Sequence, residues 1–268
     1  MKSTDFIPEE EDNDVFEEKP QTILKLADEL FLNNRYEEAA GYYTSLLEKF
    51  PDDAVLWNNK GVCLARLNML NEAVECYSNA IRLAPSYDRA YFNRAKAYHR
   101  LGMLKKAIHD YKRCVRFNPF NQSAYNNIGV ALSKLGKVKE SLYYYKVAIE
   151  AKPDYEYAFT NMGYSLLKIG RVEEAQECFC KALALNNGFG PAAEGMSLVE
   201  ELKRGRKNDV SDLQVLKASS GKQNKCHCNP ERKVNRKSRN SKDSMKSGEN
   251  IFTKIIKKVK LMFTGQKS

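Results

Sequence analysis

Asn59, Asn93, Asn127 and Asn161 stand 34 residues apart, and Arg66, Arg100, Lys134 and Lys168 follow them seven residues on. A primary amide both donates and accepts hydrogen bonds, so one Asn pairs with one peptide unit of an extended ligand. Four in register form a ladder that holds a backbone without reading its sequence. The cations of the second series favour an acidic or carboxylate-bearing ligand, because Arg grips a carboxylate bidentately. A basic residue in the last turn of a helix also complements the helix dipole, so the second series has a structural role open to it as well.

Chemistry of other kinds has weaker support. The chain has three histidines. No nucleophile, base and orienting group can be assembled from their spacing, and no phosphate-cradling glycine loop is present. Cys226, His227 and Cys228 set three soft ligands side by side. A structural zinc site takes four, usually as two separated pairs, and the tail holds no second pair. The expectation is a non-enzymatic chain with no metal and no cofactor. Seven cysteines, an odd number, fit reduced thiols better than a disulfide framework. Cys114 reads as a small buried hydrophobe.

Pairs of helices must position the two ladders. Pro51, Pro85, Pro119 and Pro153 share the 34-residue period. With Pro51 at position 32, repeats start at residues 20, 54, 88, 122 and 156. Position 4 is then large (Ile23, Trp57, Tyr91, Tyr125, Phe159), and position 8 small (Ala27, Gly61, Ala95, Gly129, Gly163). Position 11 is Leu30, Leu64, Tyr98, Leu132 and Leu166, and position 20 is Ala39, Ala73, Ala107, Ser141 and Ala175. Position 24 is Tyr43, Tyr77, Tyr111, Tyr145 and Phe179, and position 27 is Leu46, Ala80, Cys114, Ala148 and Ala182. Both sets follow the i, i+4, i+7 spacing of a helix face. Each repeat therefore reads as two helices of about 13 residues. A turn falls at Gly102, Gly136 or Gly170, and a stop falls before each proline. Periods of this length mark stacked supersecondary units that display an extended surface.

This pattern over residues 20–189 resembles the tetratricopeptide repeat family. Ile23, Leu46 and Asn187, the last standing where proline is expected, are the departures. The resemblance implies an all-α, right-handed superhelical α-solenoid of five repeats (20–53, 54–87, 88–121, 122–155 and 156–189). A capping helix over 190–204 follows, with an apolar stripe of Met196, Val199 and Leu202. It also implies that positions 2, 5, 6, 9, 12 and 13 of each first helix line a concave face, where asparagine ladders in the family bind extended peptides. Both series above fall on that face, joined by Arg89, Lys96 and His99, with Phe92 and Tyr164 as apolar contacts between the charges. Co-chaperone members grip a terminal Asp carboxylate through five set positions. Here these are Leu24, Asp28, Asn59, Arg89 and Asn93, and only Asn59 and Arg89 fit, so binding of a chaperone tail is a weak alternative.

The tails differ from the body. Residues 1–19 carry eight acids and two bases, and residues 205–268 carry 17 bases and five acids. The acidic tail 1–19 and the basic linker 205–249 are too polar to bury a core and are expected to be disordered. The run Arg232–Arg239 offers a nucleic-acid-binding alternative, weakened by its lack of an aromatic residue to stack on bases. Residues 250–264 differ again. At 100° per residue, Ile251, Phe252, Ile255, Ile256, Val259, Met262 and Phe263 share an arc of about 140°, and Lys254, Lys257, Lys258 and Lys260 lie outside it. Such a basic amphipathic helix lies on an anionic membrane surface, docks in a partner's groove or folds back on the array. No run of 18 apolar residues offers a membrane span, and the first residues lack the basic start and apolar stretch of a secretory leader. The expectation is a cytoplasmic adaptor, peripheral at a membrane surface in one variant. It would bind an extended, acidic peptide.

Overall fold

The computed structural model describes residues 19–214, with side chains for 19–204. Among the described residues the chain forms eleven α-helices and no strand. Five pairs come first: α1 (Pro20–Leu32) with α2 (Tyr36–Lys49), α3 (Ala54–Arg66) with α4 (Leu70–Leu83), α5 (Asp88–Arg100) with α6 (Leu104–Phe117), α7 (Gln122–Lys134) with α8 (Val138–Ala151), and α9 (Glu156–Lys168) with α10 (Val172–Leu185). The last helix is α11 (Gly190–Gln214). The repeat register is therefore the one that the prolines set. None of these helices is long and apolar enough to cross a membrane.

The turn inside each pair is built one way. Gly102, Gly136 and Gly170 hold φ of +74°, +77° and +74°, and Asn34 and Asn68 take the same left-handed place at +62° and +66°. Asn tolerates that region better than other side chains. The residue after each of them donates back to the helix: Arg35 to Leu30, Met69 to Leu64, Met103 to Tyr98, Lys137 to Leu132 and Arg171 to Leu166, at 2.8–3.0 Å. These bonds, with a second from the left-handed residue itself, form the Schellman motif that satisfies the last carbonyls of the first helix. The second helices stop at Lys49, Leu83, Phe117 and Ala151, two residues before each proline.

The helices fall into two compact units, Met1–Leu83 and Ala84–Ser268, a division that the even period does not mark. In the first, Ala27, Leu30, Ala39, Tyr43, Leu46, Leu56 and Cys63 form a buried cluster between α1, α2 and α3. In the second, Tyr145, Leu166, Ala175, Phe179, Ala182, Ala192 and Val199 do so between α8 and α11. The seams rest on small residues against aromatic ones. A Cβ added at Gly61 would lie 2.7 Å from the Tyr77 ring, and one at Gly163 would lie 2.7 Å from Phe179.

The capping helix differs from its expectation twice. It runs to Gln214, ten residues past the Arg204 boundary. Gly205 costs a helix only about 1 kcal/mol, and no proline stops the chain there. Its packed stripe is also rotated. Ala192, Gly195 and Val199 are buried with Met196 beside them, whereas Leu202 is 45% exposed. At 100° per residue Leu202 sits at the edge of that stripe. Gly195 lets α11 lie on Phe179, where an added Cβ would meet the ring at 2.4 Å.

Candidate peptide-binding face

In the second unit the ladder rests on α5, α7 and α9. Asn93, Asn127 and Asn161 are half-buried. Asn161 Nδ2 donates to Asn126 Oδ1 at 2.9 Å, Asn126 Nδ2 to Asn127 Oδ1 at 3.4 Å, and Asn127 Nδ2 to the Tyr111 hydroxyl at 3.3 Å. Tyr111 is fully buried and Asn126 is 5% exposed. Two of the expected ladder residues are thus brought together, and a third amide links them. Asn127 and Asn161 hold repeats to one another, and each keeps valence beyond those bonds, since an amide offers two N–H groups and two lone pairs. Asn126 was not legible as part of the ladder. Its only signal is the doublet Asn126–Asn127, repeated as Asn58–Asn59.

The cations occupy the last turns of the first helices. Arg100, Lys134 and Lys168 end α5, α7 and α9 and are exposed. Their charges therefore complement the helix dipoles and face solvent at once. Lys168 Nζ donates to Ser133 Oγ at 3.1 Å, and Ser165 Oγ donates to the same oxygen at 3.0 Å. Arg89 is exposed in the first turn of α5, and Lys96 lies 5.8 Å over the Phe92 ring. The Tyr164 hydroxyl donates to the Pro191 carbonyl of α11 at 2.7 Å.

His99 shares the last turn of α5 with Arg100, and its Nε2 is buried and unpaired. Burial first, then the charge of Lys134, holds its pKa below the usual 6.5. The folded chain therefore binds fewer protons here than the unfolded chain, and this site costs stability as pH falls through the unfolded value. The urea midpoint should drop between about pH 7.5 and pH 5.5, a window above most carboxylates, and the drop should be smaller in His99→Gln. An equal drop in both proteins would assign the effect to other groups.

In the first unit, Asn59 hydrogen-bonds the Tyr43 hydroxyl, which donates to Asp28 at 2.5 Å, and Asn58 Nδ2 donates to Asn59 Oδ1 at 3.3 Å. Arg66 is exposed in the last turn of α3. Thus the position-6 Asn meets the preceding position-24 Tyr at Asn59–Tyr43 and again at Asn127–Tyr111.

Cys63, Cys114 and Cys178 are buried. Burial pushes their thiols up to about 11, 12 and 11, so they stay protonated at neutral pH. No group of three metal-ligating side chains occurs among the described residues. Cys226–Cys228, the acidic segment 1–18 and the whole of the 250–264 amphipathic stretch lie outside the described residues.

The fold and the face can be set beside known proteins. Family profiles described as TPR repeat or tetratricopeptide repeat match residues 24–75, 64–102, 88–121, 122–155 and 157–189. Among solved structures, a MamA fragment from Desulfovibrio magneticus is 18% identical, with 65% of this chain and 98% of that one covered and a TM-score of 0.60. YrrB, described as a TPR protein with an unusual peptide-binding site, is 22% identical over 67% and 92%, with a TM-score of 0.56. A thermophilic TPR protein of Thermus thermophilus is 21% identical over 68% and 98%, with a TM-score of 0.55. No curated protein matches the chain. The profile matches, the five helix pairs and the repeated seam residues place this chain in the tetratricopeptide repeat family of protein-interaction scaffolds.

Proposed function

We propose that the chain is an adaptor whose first-helix face on α5, α7 and α9 holds an extended acidic peptide. The Asn161–Asn126–Asn127 series carries this reading, because it orders amides along one face beside Lys134 and Lys168. The amides supply backbone contacts and the cations supply the preference for acid. Similarity to a protein described as having a peptide-binding site supports the general mode. A basic 250–264 segment would hold the adaptor at an anionic membrane surface, a role supported by its apolar arc and lysines.

The test compares a Glu-rich decapeptide with its Gln counterpart, titrated into the full chain. Asn93→Ala with Asn127→Ala should weaken both peptides about tenfold, since two hydrogen bonds contribute about 0.5–1.5 kcal/mol each. Lys134→Glu with Lys168→Glu should weaken only the Glu-rich peptide. Binding of the Glu-rich peptide unchanged in both variants would remove the proposal.

A further inference from the structure

The first unit carries a cavity of about 310 Å³ lined by Asp28, Phe31, Leu32, Tyr43, Asn59 and Val62. That volume is at the small end of ligand pockets and suits one side chain better than a cofactor. Its chemistry departs from that of the later repeats. Leu32 ends α1 and is 77% exposed, at the place where Arg66, Arg100, Lys134 and Lys168 end the other first helices. Asp28 stands where those helices carry Val62, Lys96, Val130 and Tyr164.

Asp28 is the only formally charged group in the lining. Its carboxylate accepts the Tyr43 hydroxyl at 2.5 Å, and Tyr43 is itself 2% exposed and bonded to Asn59, so the acid is held in place. An ionised carboxylate has about four acceptor sites, and Tyr43 uses one. No cation pairs with Asp28 among the described residues, because Lys25 on the same helix faces Glu29 at 3.8 Å. The surrounding repeats share its sign, since residues 20–83 carry nine acids against six bases.

We propose that this cavity binds an arginine side chain of a partner polypeptide. The methylene stem lies against Phe31, Leu32 and Val62, and the guanidinium forks onto Asp28. Arginine fits this description because its planar, weakly hydrated head both stacks on an aromatic ring and pairs with a carboxylate. The site is opposite in charge to the acidic-peptide face of the second unit and does not rest on that reading.

The probe is a capped heptapeptide, Gly-Ser-Leu-Arg-Leu-Ser-Gly, beside the same peptide with citrulline, the neutral isostere of arginine. Both are titrated into the full chain by calorimetry or amide chemical shift. The Arg peptide should bind about tenfold tighter, as a charge-assisted pair does over a neutral one. Asp28→Asn keeps an oxygen for Tyr43 and should erase that difference. Glu29→Gln makes the same charge change one residue outside the cavity and should leave the difference intact. Leu32→Ser, at an exposed position, should weaken both peptides alike. Thermal unfolding checks that each variant folds. Equal binding of the two peptides overturns the proposal, and so does a preference that survives Asp28→Asn or is lost in Glu29→Gln. No binding of the Arg peptide at about 5 mM overturns it as well.

Discussion

Asp110→Ala is expected to destabilise the second unit by about 3 kcal/mol, seen as a fall of about 1–2 M in its urea midpoint. Asp110 is the one buried acid among the described residues, with 3% of its side chain exposed. Arg94 Nε meets Asp110 Oδ2 at 2.7 Å, and Arg94 Nη2 meets Oδ1 at 3.1 Å, so the pair is bidentate between α5 and α6. Removing the acid breaks both contacts and strips this carboxylate from a guanidinium with 18% of its side chain exposed. That residual exposure lets water reach Arg94 and keeps the effect at the low end of what broken buried pairs cost. The same seam is filled without a complete ion pair in the other repeats: Leu26 with Tyr42, Lys60 with Cys76, Ile128 with Tyr144 and Met162 with Cys178. Arg94→Met with Asp110→Cys copies the last of these and should recover most of the loss. A double variant no more stable than Asp110→Ala would show that the pair does more than fill the seam.

Gly129→Leu should cost about 1–3 kcal/mol by overpacking. A Cβ at Gly129 would lie 2.5, 2.7 and 2.9 Å from Cε1, Cδ1 and Cζ of Tyr145, and Tyr145 is 1% exposed. That ring has nowhere to turn, so the backbones of α7 and α8 must part. Gly41 supplies the opposite case in α2. Nothing lies within 4 Å of a Cβ built there, and Gly41→Ala should stabilise by about 0.5–1 kcal/mol through helix propensity. Melting curves of the two variants should move in opposite directions. An unchanged melting temperature for Gly129→Leu would mean that the position-8 seam is not closely packed.

The residues themselves determined the repeat. A 34-residue period in Pro51, Pro85, Pro119 and Pro153, with small residues at position 8 and aromatic ones at position 24, specifies helix pairs and their register by local rules alone. Asn34 and Asn68 escaped notice because left-handed φ at a non-glycine depends on the turn around it. Tertiary structure alone decided which polar groups meet. Asn126 is separated from Asn161 by 35 positions, and Arg94 from Asp110 by 16, so only packing of helices brings each pair within hydrogen-bond range. It also decided that the capping helix packs through Ala192, Gly195 and Val199 in place of Leu202. A stripe in one helix fixes a face only to within a turn's width, and the fit of Gly195 to the Phe179 ring selects the rotation. The Asp28 cavity follows the same rule. A carboxylate, a phenol and an amide from α1, α2 and α3 converge there, and no spacing along one helix announces a meeting of three.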